Sequence, residues 1–130
     1  MTSQLAQHFK TLGECIALGE ELFAIRLISE IFREAVAEAE RPQIYSSGSA
    51  PGLTGNARWD TLSTSAVRLA YETSGKTAPS WTAREPSPTP VYLRAERDLT
   101  ENYRTRIREL APVSLAEKNV WYELSDLATA

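Results

Sequence analysis

Cysteine and histidine are almost missing from this 130-residue chain, which has one of each, Cys15 and His8. With no second thiol there is no internal disulfide framework, so a reducing compartment, the cytoplasm, is the expected home. A zinc site draws three or four Cys, His or carboxylate ligands at set spacings, more than one Cys and one His supply. Ser-His-Asp and Cys-His catalysis need an imidazole beside the nucleophile. His8 and Cys15 are separated by Gly13 with no acid poised beside them, so they read as a surface histidine and a core cysteine.

Other absences narrow the field further. Gly48, Gly52 and Gly55 lack the Lys-Ser/Thr of a phosphate-cradling loop and the strand that precedes a dinucleotide fingerprint, so no cofactor is expected. No run of roughly eighteen uncharged apolar residues occurs, and Met1-Thr2-Ser3-Gln4-Leu5 has no basic start, so neither a membrane span nor an export signal is expected. A basic excess is missing as well. The net charge is −3 and the pI near 5.2, whereas phosphate-backbone affinity comes from Lys and Arg displacing counterions. A neutral or basic protein partner suits that balance. Arg94, Arg97, Arg104, Arg106 and Arg108 nevertheless gather five of the 14 basic residues in one stretch, which leaves direct nucleic-acid contact open as an alternative.

What is present is helical periodicity. Apolar residues recur at Leu18, Leu22, Ile25, Ile28, Phe32 and Val36 at spacings of three or four. Gly13 and Gly19 are each costly inside a helix, by about 1 kcal/mol relative to Ala, so two helices broken near one of them are expected, the second over 19–40. Its arc also includes Phe23, Leu27 and Ile31, wider than one contact face needs. That width suits a central core helix, or a helix that keeps part of its arc for a partner. The run Glu34, Glu38, Glu40 reads as the solvated end of this helix, with carboxylate metal binding as the lesser reading.

The small, polar stretch from Ser46 to Gly52 cannot bury enough surface to order itself. The expected division is therefore a helical arm over 1–43, a linker over 44–55, and a second helical unit over 56–130. In that unit, Asn56 is a good N-cap for a helix that shows Trp59, Leu62, Ala66, Leu69 and Ala70 on one face and ends at Ser74-Gly75. Pro79, Pro86, Pro88 and Pro90 make 79–90 extended, with Trp81 pinning it to the core. Leu99, Tyr103, Ile107 and Leu110 predict an amphipathic helix from about 94, with the arginines outside, ended by Pro112. Val120-Trp121-Tyr122 is a short strand candidate, followed by Ser125 capping a final turn. The predicted class is all-α, mainly helical, with at most that one short C-terminal strand.

The run Thr54-Gly55-Asn56-Ala57-Arg58-Trp59-Asp60-Thr61-Leu62, then Pro79-Ser80-Trp81 and Asn119-Val120-Trp121-Tyr122, resembles a family of actinobacterial antitoxin-like proteins. Members combine a Thr-Gly-x-x-Arg-Trp-Asp-x-Leu helix start with a later Pro-x-Trp and an Asn/Gly-Val-aromatic ending. They often stand behind an Xre-like helix-turn-helix, and some accompany nucleotidyltransferase-type toxins. The likeness covers roughly residues 20 to 130. Two features depart from it: no helix-turn-helix precedes the matched part, and Leu115-Ala116-Glu117-Lys118 replaces an aromatic-plus-Arg run.

The resemblance implies the neutralising half of a toxin-antitoxin pair, a non-catalytic protein-binding module whose partner is a cognate toxin. Phe23, Leu27, Ile31, Trp81, Trp121 and Tyr122 are the expected partner-binding residues, with a homodimer through the N-terminal helices as a further expectation. The first alternative is a DNA-binding accessory regulator using Arg94, Arg97, Arg104 and Arg108, although no recognition helix with base-reading residues at its start is found. The second is a small metal-independent enzyme, for which Asp60 would be the acid to test; its simpler role is support of a helix N-terminus.

Overall fold

The computed structural model describes residues 4–41 and 51–129. Six α-helices occur among them: α1 (Leu5–Ala17), α2 (Glu21–Glu40), α3 (Ala57–Thr73), α4 (Glu101–Leu110), α5 (Val113–Ala116) and α6 (Leu124–Thr129). Two short strands, β1 (Val91–Tyr92) and β2 (Val120–Trp121), pair in parallel, Val91 opposite Val120 and Tyr92 opposite Trp121. The protein is thus mainly helical, as its periodicity implies. The β2 strand falls where an aromatic-rich strand is predicted. Its partner β1 is hidden in the sequence by the prolines before it.

The break between the first two helices comes at Gly19 and not at Gly13, which sits inside α1. Gly19 has φ +73°, and its N–H donates to Ile16 O while Glu20 N–H donates to Cys15 O. These two bonds close the end of α1, and they need a left-handed residue that glycine supplies without strain. The predicted cap of α3 is also present: the Asn56 side chain accepts from Arg58 N and Trp59 N at 3.1 and 3.3 Å. At its far end Gly75 and Lys76 N–H donate to Glu72 O and Tyr71 O.

Helices α1, α2 and α3 pack in sequence order, with α2 between the other two and α6 against α2. Phe9 and Leu12 of α1, Ile28 and Ile31 of α2, and Leu62 and Val67 of α3 are closed from solvent in one core. Helices α1 and α2 therefore share one core with α3 and are not an arm held apart from it. Of the predicted linker, 44–50 lie outside the described residues.

The most enclosed helix is α3, buried from Trp59 through Val67 and again at Leu69, Ala70 and Tyr71. One apolar face was expected there. Its other faces are covered because Thr61, Ser63, Thr64 and Ser65 are small enough to let neighbours approach. Thr64 Oγ1 and Ser63 Oγ donate to Asp60 O at 2.7 and 3.2 Å, so these hydroxyls enter the core already hydrogen-bonded.

A second, smaller core joins Tyr92, Tyr103 and Ile107, with Leu99 and Trp121 packed beside it. Here α4 starts at Glu101, later than the predicted 94, because the Thr100 side chain accepts from Tyr103 N and caps it; a 3-10 turn, Glu96–Asp98, precedes. Ser125 lies inside α6 and does not cap it. The side chain closing that turn is Asp126, whose Oδ2 accepts from Glu123 N at 3.0 Å.

Candidate functional site

The Thr-Gly-Asn-Ala-Arg-Trp-Asp run folds into a clamp whose polar groups are spoken for. Asp60 Oδ1 accepts from Thr54 N and Thr54 Oγ1 at 2.8 and 2.6 Å, and Oδ2 from Gly55 N at 3.0 Å. Its carboxylate is buried and ties the chain entering α3 to the first turn of that helix. Arg58 Nη1 donates to Glu21 Oε2 at 2.8 Å and Nη2 to Arg94 O at 3.0 Å, with the guanidinium over the Trp59 ring. The motif therefore joins α2, α3 and the segment after β1, which is a structural task. Asn119 does similar work at φ 62°: its Nδ2 donates to Ser87 O, its main-chain oxygen accepts from Val91 N, and its Oδ1 accepts from Trp121 Nε1.

The reactive groups are equally enclosed. Cys15 is buried in the core, and burial, then Glu20 and Glu14, push its thiol above the ordinary range, away from the nucleophilic thiolate. Glu38 was expected at a solvated helix end and is instead buried, accepting from Tyr71 OH at 3.3 Å. Burial, helped by Glu38, pushes the Tyr71 phenol up to about 12. Among the described residues no group of three or more His, Cys, Asp or Glu is placed to hold a metal ion.

The residues expected to bind a partner are divided by the fold. Leu27, Ile31 and Tyr122 belong to the main core, at 7%, 0% and 0% exposure, so they are unavailable to a partner. The wide arc of α2 is explained by two neighbours, α1 and α3, each covering part of it. Trp81 is half-buried, edge-on to Phe9 with ring centroids 5.8 Å apart, and pins the proline-rich segment as expected. Trp121 is half-buried beneath Arg108. Phe23 alone of the six is exposed.

Phe23 has companions that periodicity assigns to the core. Leu18 is 73% exposed and Leu22 54%, beside 53% for Phe23. Leu18 lies past the end of α1 and Leu22 on the first turn of α2, so the Gly19 turn projects both off the core-facing stripe. Gly19, Glu20, Glu21, Leu22 and Phe23 line an open hollow of about 580 Å³ with Ala95 and Arg97 on its other side.

The arginines also separate. Arg97 borders that hollow, 3.9 Å from Asp98. Arg94 and Arg106 lie over the Tyr103 ring at 3.6 and 5.7 Å, Arg104 over Tyr92 at 5.9 Å, and Arg108 over Trp121 at 4.7 Å. Arg108 Nη2 also donates to Tyr92 OH at 3.2 Å. In comparisons with known proteins, no family model, no curated protein and no solved structure matches the chain.

Proposed function

We propose that this chain is a non-catalytic protein-binding module, and specifically the neutralising half of a toxin-antitoxin pair. The observation that carries the protein-binding reading is the cluster of Leu18, Leu22 and Phe23 on one tight turn, each more than half exposed, beside a hollow with a mixed-charge rim. Large apolar side chains gathered around a concavity mark sites where a partner completes the burial. The antitoxin assignment comes from the resemblance of the Thr54–Leu62, Pro79–Trp81 and Asn119–Tyr122 motifs. A structural role for those motifs is compatible with it, since a module that neutralises by contact works without a reactive centre. Direct duplex recognition has less support, because Arg94, Arg104 and Arg108 are held over aromatic rings and not presented from a groove-reading helix start. No helix among the described residues is long and apolar enough to cross a membrane.

Co-expression with the product of the adjacent gene tests the reading. That product should arrest growth alone, be neutralised by this chain, and copurify with it, and Leu22→Asp with Phe23→Asp should abolish both effects. If the adjacent product neither inhibits growth nor copurifies, the antitoxin assignment is lost; if the double variant still binds, the patch is not the contact.

A further inference from the structure

We infer that the Arg104–Arg108 flank of α4 is a docking strip for an extended acidic segment of a protein partner, gripped by those two arginines. The inference rests on the protein-binding reading for the source of the segment, but on a different surface from the Leu18–Phe23 patch.

Arg33, Arg58, Arg68 and Arg97 each pair with a carboxylate, Glu30, Glu21, Glu72 and Asp98 respectively. Arg94, Arg104, Arg106 and Arg108 make no ion pair among the described residues, and each instead lies over an aromatic ring. Arg104 and Arg108 stand on one flank of α4 beside Glu101, with Arg106 about 200° round the helix from Arg104, and the pair forms a local positive patch on a protein of net charge −3. A guanidinium held over a ring keeps outward N–H groups open, the edge that grips a carboxylate with two parallel bonds, and Arg108 spends part of its edge on Tyr92 OH. The rings also restrain the side chains, so less freedom is lost when an acid docks.

The aromatic rings disfavour a base-stacking ligand. A single nucleic-acid strand needs open ring faces on which its bases stack. Tyr92 and Tyr103 are buried, at 7% and 3% exposure, and the Trp121 face is taken by Arg108. Carboxylates need only the guanidinium edges. Spacing then sets the pattern: Arg104 and Arg108 are one helical turn apart, about 6 Å along the axis. Alternate side chains of an extended peptide are about 6.6 Å apart on one face, so an acid-x-acid sequence matches the pair.

The test is fluorescence anisotropy with the full chain and a labelled Gly-Glu-Ser-Glu-Ser-Glu-Gly peptide at low salt. Binding is expected, with a loss of at least about tenfold in Arg104→Glu/Arg108→Glu, equivalent to about 1.4 kcal/mol. The Arg104→Lys/Arg108→Lys pair should weaken it less, since charge is kept and the fork is lost. Circular dichroism checks that both variants remain folded. Leu22→Ser/Phe23→Ser should leave peptide binding unchanged. The strip is refuted if the peptide does not bind, if the charge reversals have no effect, or if a labelled oligothymidylate binds as tightly. Equal binding of a peptide with its three glutamates in one block overturns the proposed register. Failure here beside a copurifying toxin removes the strip and leaves the antitoxin reading standing. Peptide binding without a toxin does the reverse.

Discussion

Helix α3 and the turn between α1 and α2 treat polarity in opposite ways. In α3, Thr61, Ser63, Thr64 and Ser65 are inside; around Gly19, Leu18, Leu22 and Phe23 are outside. Ser63 and Thr64 can be buried cheaply because their hydroxyls turn back to main-chain oxygens of the preceding turn, while the small size of all four side chains lets α2 and the later elements close in. The leucines and phenylalanine are exposed because a left-handed glycine sets where the second helix starts, and nothing else among the described residues lies over that corner. Burial therefore follows where an element stands relative to its neighbours more closely than the hydropathy of its side chains.

That contrast can be broken experimentally, beginning with its strongest side. Leu62→Ala empties a fully buried position in α3 and should lower unfolding free energy by about 2–5 kcal/mol in a denaturant titration. A loss of less than about 1 kcal/mol would mean that α3 is not the centre of the core. Asp60→Ala removes the acceptor for three donors at the start of α3 and should cost about 1.5–3 kcal/mol, measured in the same way.

A smaller effect should come from Tyr71, whose phenol is held neutral beside Glu38. Its folded value is about 12 against an ordinary 10.0. A raised folded value means stability that is intact below the unfolded value and declines as pH rises through the window from about 10 to 12. Tyr71→Phe should flatten that alkaline decline, and an unchanged pH profile would count against the buried contact. Smallest of all, Leu22→Ser/Phe23→Ser should change stability by no more than about 1 kcal/mol, because each residue is more than half exposed. A larger loss would move this corner from the contact surface into the core.

Much of the local structure was legible because it is governed by neighbours in the chain. Asn56 announces α3, Gly75 ends it, and Pro112 follows α4, each through backbone preferences acting within a few residues, whereas the choice of Gly19 over Gly13 for the break between α1 and α2 came from the tertiary structure. The candidate surfaces were less legible. Phe23 is exposed, whereas Leu27, Ile31 and Tyr122 look like interface residues only until they are seen to lie in the main core. Leu18 and Leu22 fit the helical period as well as Ile25 does, and no spacing rule separates them. The arginines were recognised as a group, but not that Tyr92, Tyr103 and Trp121 would sit under four of them and leave Arg97 aside.

Propensity, capping and composition set the helical class, the ends of α2 and α3, the C-terminal end of α4 and the poverty of reactive groups, because they act within a few residues or on the whole chain. The tertiary structure decided that α3 is enclosed, that β1 meets β2, and which apolar and cationic side chains remain at the surface. Those outcomes depend on contacts between residues far apart in the chain, which no local pattern encodes.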